Sequence, residues 1–188
     1  MTGSAVPPDV LAGAGAAARA WLRAPGGQDA DDGDAAAIAG LCASAITLAE
    51  AFCGQVLVAR SFEEAVAASG AWQRLAGVPV AAITAVAVVD AAGAATALPA
   101  ESFAIDIDAG GTGWVRLTRP VAATRLLVTY AAGQAASWDA LPPPVAQGIA
   151  MLVAHLFDHR EGDAAPPAAI AALWRPWRRI ALACERRA

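Results

Sequence analysis

Apolar residues recur at steps of three and four in four stretches of the chain, and this period predicts four helices. The predicted helices cover residues 9–23, 31–53, 143–160 and 167–185. In the clearest of them, the apolar stripe consists of Ile38, Leu41, Cys42, Ala45, Leu48, Ala49 and Phe52. Gly54 directly follows this stripe, so we expect the second helix to end there.

Between residues 55 and 130 the pattern changes to an alternation of apolar and polar positions, which predicts β-strands. The residues predicted to share a face are Phe103, Ile105 and Ile107 in one strand and Leu126, Val128 and Tyr130 in another. Short alternating strands joined by glycine-rich turns are typical of an antiparallel sheet with one buried face. The order of elements therefore predicts an α+β fold with two N-terminal helices, a small antiparallel β-sheet insertion and two C-terminal helices.

The length of the chain bounds its domain organisation. A chain of 188 residues can form one domain with a hydrophobic core, and we expect a single domain over residues 1–188. Its predicted parts are N-terminal helices in 7–54, an antiparallel β region in 55–133, C-terminal helices in 141–173 and a Trp- and Arg-rich tail in 174–188.

Charge and cysteine content argue against several classes of protein. The net charge of −4 gives no overall attraction to nucleic acid, although five of the 13 arginines lie in the last 14 residues. The three cysteines form no CxxC pair, which indicates neither a disulfide framework nor a zinc ribbon. The first residues lack a signal-peptide pattern, and we find no run of about 18 strongly apolar residues that would predict a membrane span. We expect a soluble protein that is made in the cytoplasm.

Two histidines near the end of the third predicted helix are candidate metal ligands. His155 and His159 are four residues apart, as in zinc proteases, and Asp158 lies beside them. A catalytic zinc also needs a third protein ligand and a base, and only Glu161 and Asp163 follow nearby. The other interpretation is a helix end, where histidine favours the negative pole of the helix dipole. We predict no metal, no cofactor and no enzymatic activity, with a metal-dependent hydrolase at His155, Asp158 and His159 as the alternative function.

The stretch "DIDAGGTG" has the residues of a cation or phosphate loop but not the spacing. A calcium loop that begins at Asp106 would need Glu at its twelfth position, where the chain has Leu117. No helix is predicted after the glycines, as a phosphate loop would require. The stretch therefore predicts a hairpin turn. The chain also lacks a Gly-x-Ser-x-Gly elbow, so nothing indicates a serine nucleophile.

The stretch "WRPWRRIALACERRA" places tryptophans and arginines close together at the end of the chain. These two residue types are enriched in interface hot spots, and arginine also contacts phosphate. Leu173, Trp177, Ile180 and Cys184 lie at helical spacing, so part of the stretch must pack, while Pro176 disfavours a continuous helix. Three interpretations stay open: a helix docked on its own core, a docking element for another protein, and a DNA contact in a small DNA-binding protein.

The order of these features resembles that of the head–tail connector, or adaptor, proteins of tailed phages and of phage-derived gene transfer agents. The resemblance runs from about residue 7 to residue 180. The segments that carry it are "WLR", "AEAFCGQVL", "LAGVPV" with its later Asp-x-x-Gly turn, "LLVTYAAG", "LPPPVAQGIAMLVAHLFDHRE" and "IAALWRPWR". The family has a similar helix end around His155 and Arg160 without metal chemistry, which favours the helix-end interpretation of the histidines.

The resemblance implies a structural virion protein. Connectors of this family form a ring of about a dozen copies beneath the portal of a DNA-filled capsid, and the ring extends the DNA channel towards stopper or tail proteins. The implied partners are the portal protein, a stopper or tail protein, further copies of the chain, and double-stranded DNA that passes without sequence-specific binding. The implied location is the head–tail junction of a virion or phage-like particle that is assembled in the bacterial cytoplasm, with no membrane contact.

Two sets of residues are candidates for these contacts. The residues expected to dock on the portal are Trp174, Arg175, Trp177, Arg178, Arg179, Arg186 and Arg187. The residues expected to form an acidic ring interface are Asp29, Asp31, Asp32 and Asp34. A head-to-tail ring needs two different patches on each subunit, and an acidic patch and an arginine-rich end could be complementary.

Overall fold

All strands but the first lie between two N-terminal and two C-terminal helices of the described chain. The computed structural model describes residues 1–22, 32–90, 92–159 and 165–180, without the side chains of 32–35. The helices are α1 (Pro8–Trp21), α2 (Asp32–Cys53), α3 (Pro143–Asp158) and α4 (Ala168–Trp174), and 3-10 turns cover Ala100–Ser102 and Arg175–Trp177. The strands are β1 (Thr2–Gly3), β2 (Arg60–Ala67), β3 (Gln73–Arg74), β4 (Val80–Val89), β5 (Ala95–Ala97), β6 (Phe103–Ile107), β7 (Gly113–Leu117) and β8 (Arg125–Ala132). The predicted α+β class is confirmed.

The described chain divides into two compact units. The helical unit consists of Val6–Val58 and Ala135–Ile180, and the described part of the β unit consists of Met1–Ala5 and Ala59–Gln134. Each unit has buried apolar residues of its own.

The part of the helical unit's core that α2 contributes consists mostly of small side chains. Its fully buried positions on α2 include Cys42, Ala45, Ile46, Ala49 and Cys53. Burial raises the pKa of the Cys42 and Cys53 thiols, which keeps them protonated and unreactive at neutral pH. The predicted stripe is right at Ile38, Cys42, Ala45 and Ala49. It is wrong at Leu48, which is 51% exposed, and it omits Ile46.

The motif "AEAFCGQVL" closes the end of α2. The Glu50 carboxylate accepts hydrogen bonds from the backbone N–H groups of Leu57 and Val58, at 2.9 and 3.4 Å. Gly54 adopts a φ of +65°, the left-handed conformation that glycine takes most easily after a helix. Leu57 is fully buried. Glu50, Gly54 and Leu57 together therefore fix the conformation of the chain after the C-terminal end of α2.

The β unit contains more sheet than the small insertion that the sequence predicts. Its strands form an antiparallel five-stranded sheet in the order β1-β2-β8-β4-β5 and a three-stranded sheet in the order β3-β7-β6. Local alternation reveals individual strands, but β8 pairs with β2 and β4, and β3 pairs with β7, across long stretches of chain. Such pairing leaves no local signal, so the sequence underestimates the size of the sheets.

The fourth helix is shorter than predicted. The helix predicted over 167–185 is observed from Ala168 to Trp174, and the 3-10 turn Arg175–Trp177 follows it. Pro176 lies in that turn and has no N–H to donate to a continuing helix. Arg178 is already extended, with a ψ of 126°. The predicted interruption near Pro176 is therefore confirmed, and residues 181–188 lie outside the described part.

Within the described residues, one helix is long and apolar enough to cross a membrane by length and composition, although the sequence was predicted to contain no such span. This window is Ala36–Cys53 on α2, with 18 residues. Alanine accounts for much of its apolar character, which is why it does not stand out among bulkier residues. The window includes Cys42, Ala45, Ile46 and Ala49, which belong to the buried core of the helical unit. These two criteria alone are also met by core helices of soluble proteins.

Candidate functional site

The candidate portal-docking residues begin at the end of α4, and the first of them belongs to the core. Trp174 is only 4% exposed, and its indole nitrogen donates a hydrogen bond to the Val145 carbonyl oxygen at 3.3 Å. A Cβ on Gly148 of α3 would overlap this indole. The ring of Phe52 packs against Trp174 with centroids 5.8 Å apart. Trp174 therefore attaches α4 to its own unit, which agrees with the interpretation of a helix docked on its own core.

The segment after Trp174 is tied to the end of α2. The Arg179 N–H donates to the Cys53 carbonyl oxygen at 2.8 Å, and the Gln55 side-chain amide donates to the Trp177 carbonyl oxygen at the same distance. Trp177 is half-buried against the core cluster. These contacts hold the backbone of residues 175–179 in a defined position and limit how the arginines can be presented.

Two arginines of this segment are exposed. Arg175 and Arg178 both lie on the surface, whereas Arg179 is half-buried. The Arg178 guanidinium lies 5.3 Å from the centroid of the Phe52 ring, within the range of a cation–π interaction. The exposed positive charge of the segment is therefore presented by Arg175 and Arg178.

The remaining predicted contact residues cannot be located in the same detail. Arg186 and Arg187 lie outside the described residues, as do Asp29 and Asp31. Asp32 and Asp34 lie in the first turn of α2, and their side chains are outside the described part. The acidic ring interface and the final arginines stay predictions.

The two histidines lie at the C-terminal end of α3 and contact each other. Their rings stack with centroids 4.4 Å apart, and the Nδ1 of His159 donates to the His155 carbonyl oxygen at 3.0 Å. Asp158 is exposed at the last position of the helix. Among the described residues, no group of three or more His, Cys, Asp or Glu side chains could hold a metal ion. Glu161 and Asp163 lie outside this range. The His155 carbonyl oxygen also accepts from the His159 backbone N–H at 3.0 Å. The described geometry therefore fits a helix end at which the His159 ring folds back over the last turn.

The stretch "DIDAGGTG" forms the predicted hairpin turn between β6 and β7. The carboxylate of Asp108 accepts hydrogen bonds from the N–H groups of Gly110 and Thr112, both at 2.9 Å. The indole of Trp114 donates to its other oxygen at 3.4 Å. The hydrogen bond from the Thr112 backbone is the largest of the effects that lower the pKa of Asp108. Its acceptor capacity is thus used within the turn, and the hairpin prediction is confirmed.

Two surface features of the described chain escaped the sequence analysis. The first is on the β unit, where Ile105 and Ile107 of β6 are 45% and 37% exposed. The second is an apolar groove of about 270 Å³ on the helical unit. Its lining residues are Leu48, Phe52, Leu152, Pro166, Pro167, Ala168, Ile170, Ala171 and Trp174. The alternation in "SFAIDID" is the sequence signal for the exposed isoleucines. The groove was missed because Leu48, which lines it, was predicted to lie in the core.

The whole chain is similar to chains in solved structures of gene transfer agent (GTA) particles. One structure is titled "Neck of empty GTA particle computed with C6 symmetry", with 29% identity and a TM-score of 0.77. Another is titled "Virion of native gene transfer agent (GTA) particle", with 29% identity and a TM-score of 0.71. A third is titled "Neck of native GTA particle computed with C12 symmetry", with 28% identity and a TM-score of 0.68. In each case the similarity covers 100% of both chains.

These similarities confirm the resemblance to a neck component of phage-like particles. No family model matches the sequence, and no curated protein matches it significantly.

Proposed function

We propose that the chain is a structural protein of the neck of a gene transfer agent or similar phage-like particle, located at the head–tail junction. The observation that carries this proposal is the full-length structural similarity to neck chains at 28–29% identity, with no part of either chain left over. The similarity includes both units, so it does not rest on one common supersecondary motif.

Within the neck we assign the chain the role of a head–tail connector. Copies of the chain form a ring beneath the portal, twelve in number, which extends the DNA channel and presents a surface to stopper or tail proteins. The titles of two similar structures name C6 and C12 symmetry, and twelve copies are compatible with both. The net charge of −4 suits a channel through which DNA slides, because a strongly basic lining would retain phosphates.

For the portal contact we propose the arginine-rich segment that follows α4. Trp174 supports this surface from within the core, so the direct contact falls to Arg175, with Trp177 and Arg179 holding the backbone beneath it. Arg186 and Arg187 extend the same basic segment in sequence. A single arginine contributes little at an exposed site, but the contact is repeated around the ring, and repeated weak contacts add through avidity.

Deletion of the gene tests the connector role. In the producing bacterium, the deletion should leave heads without tails, because the ring that joins them would be missing. Electron microscopy of purified particles and a gene-transfer assay measure the two effects, and expression of the intact gene from a plasmid should restore both. Normal tailed particles that transfer genes without the protein would overturn the proposed function.

Co-sedimentation with the portal from the same gene cluster tests the docking residue. Arg175→Ala should weaken the complex, and the loss should be larger at low salt, where exposed charges are less screened. Arg125→Ala on the β unit is the matched control, because Arg125 is also exposed. Equal binding by the wild type and both variants would place the portal contact elsewhere on the chain.

A further inference from the structure

Strand β6 presents an open apolar edge. Within the described residues its only strand partner is β7, where Ile105 stands opposite Val115 and Ile107 opposite Gly113. Val115 is fully buried, whereas the two isoleucines are 45% and 37% exposed. The two residues occupy alternate positions and therefore lie on the same face of the strand.

Soluble proteins usually cover an exposed apolar edge strand with a partner, because an uncovered one promotes aggregation. Unpaired edge strands with exposed apolar side chains tend to pair with other chains unless they are short, charged or covered. β6 has five residues, an ordinary strand length, and its one charge, on Asp106, lies on the opposite face from the two isoleucines. An exposed apolar patch rimmed by polar residues is typical of an interaction site.

The groove on the helical unit is apolar and open. Its volume of about 270 Å³ exceeds the roughly 150 Å³ of an engineered protein cavity that holds a benzene molecule, so it can accept branched aliphatic side chains. Leu48 stands on its wall and is 51% exposed. The Arg178 guanidinium lies over the Phe52 ring, which also lines the groove, and so adds positive charge at its rim.

Resting on the proposed function, we infer that Ile105 and Ile107 of one copy fill the apolar groove of the next copy around the ring. A head-to-tail ring requires two different patches on each subunit, because a patch that pairs with itself closes a two-fold dimer instead. The edge of β6 and the groove are two such patches on different units of the same chain. A β6 edge that paired with the same edge of a second copy would not give a ring.

Charge favours the same occupant. Asp106, on the opposite face of the strand, and Asp108, in the hairpin turn, make this end of β6 acidic. The acidic strand would therefore approach a groove with Arg178 at its rim. Opposite charges around an apolar centre steer the two surfaces together and fix their register. Arg178 thus belongs to the ring contact, whereas Arg175 is the arginine proposed for the portal.

Cross-linking in assembled particles tests this contact directly. Ile105→Cys and Leu48→Cys are introduced together into a chain that carries Cys184→Ser, and purified particles are treated with a short bismaleimide. Cys42 and Cys53 are fully buried, so they contribute little background. The double variant should give a ladder of covalent multimers of this chain on a denaturing gel, at least tenfold above either single cysteine variant.

Four other outcomes would overturn the inference. One is a covalent dimer from Ile105→Cys alone, which would mean that β6 pairs with itself. A second is a product of Ile105→Cys with a different virion protein, which would make the edge a contact to portal, stopper or tail. A third is the absence of cross-links although mass spectrometry finds the chain in the particles. Absence of the chain from the particles is the fourth, and it would overturn the proposed function as well.

Discussion

The two units differ in how they close a buried apolar layer. In the helical unit, one continuous core includes residues of all four helices and ends with Trp174, which is 4% exposed. In the β unit, the face of β6 and β7 that contains buried Val115 also leaves Ile105 45% exposed. A helix in a bundle contacts its neighbours along a wide stripe, whereas an edge strand is covered from one side only. The helical unit therefore closes its core with its own helices, although Trp21, Leu48 and Ile180 stay exposed on its surface. In the β unit, the open rim lies directly beside the buried layer, where another chain can complete it.

The largest loss of stability is expected from removing Trp174, the side chain that attaches α4 to the helical core. Trp174→Ala removes the buried indole and its hydrogen bond to Val145, and we expect the free energy of unfolding to fall by about 3–5 kcal/mol. Urea unfolding followed by circular dichroism at 222 nm measures this loss, because helices dominate that signal. Trp177→Ala is the matched control, since Trp177 is half-buried and its loss should cost less than half as much. Equal losses would mean that Trp174 does not close the core.

The second prediction compares two residues that face each other across β6 and β7. Val115→Ala should cost about 2 kcal/mol, because Val115 is fully buried and its loss leaves a small cavity. Ile105→Ala should change the free energy of unfolding by only about 0.5 kcal/mol, as surface substitutions usually do. Fluorescence reports the unfolding, since Trp72 and Trp114 belong to the β unit. A cost for Ile105→Ala as large as that for Val115→Ala would show that this edge is part of the unit's own core.

The same contrast shows how far sequence patterns can predict this protein. The sequence pattern predicts the first three helices within a few residues, since the period of three and four follows directly from helix geometry, but it extends the fourth helix well past Trp174. Alternation predicts that Ile105 and Ile107 share a face, and the structure confirms it. Alternation does not state whether that face is covered, because coverage depends on strands and units that are distant in sequence.

The candidate site was less predictable than the fold. In the sequence, Trp174 and Arg175 are adjacent, and both are predicted to dock on the portal. In the structure, Trp174 lies in the core and Arg175 is exposed. The local signal for that difference is Gly148 in the middle of α3, an unfavourable helix residue that leaves room for the indole. The pairing of Gly148 with Trp174 spans two helices, and a single sequence does not display it.

A smaller effect is expected from the hydroxyl of Tyr130. It donates to Glu64 at 2.7 Å and accepts from the Gly77 N–H at 3.0 Å. Burial is the main cause that raises its pKa above the usual range. Tyr130→Phe leaves the Gly77 N–H without this acceptor, and we expect a loss of about 1–3 kcal/mol in the free energy of unfolding.

The control for this hydroxyl is Thr84→Val, which removes an exposed hydrogen bond from Thr84 to the Thr129 carbonyl oxygen. We expect a loss of about 0.5 kcal/mol there, because water can replace the lost partner. Chemical denaturation at neutral pH measures both variants. If Tyr130→Phe proved as mild as the control, the hydroxyl would not hold the loop that contains Gly77.

The smallest loss of stability is expected from changing Asp108 in the hairpin turn. This loss can be recognised because it should depend on pH. Hydrogen bonds from the turn hold the pKa of Asp108 below its usual value, with the Thr112 backbone as the main cause. The folded state therefore favours the carboxylate, and this contribution is present above the unfolded pKa of about 3.9 and is lost as pH falls through the lower folded pKa.

Asp108→Asn should lower the free energy of unfolding at pH 6 by about 1 kcal/mol or less. The turn is partly exposed, and the amide oxygen can still accept from both N–H groups that bond to Oδ1. The gap between wild type and variant should shrink from about pH 4 to pH 2, as the wild-type carboxyl is protonated. Asp139→Asn, at an exposed position of the helical unit, controls for the loss of one negative charge. A gap that stays constant over this pH range would mean that the shape of the turn, rather than the charge on Asp108, stabilises the hairpin that presents β6.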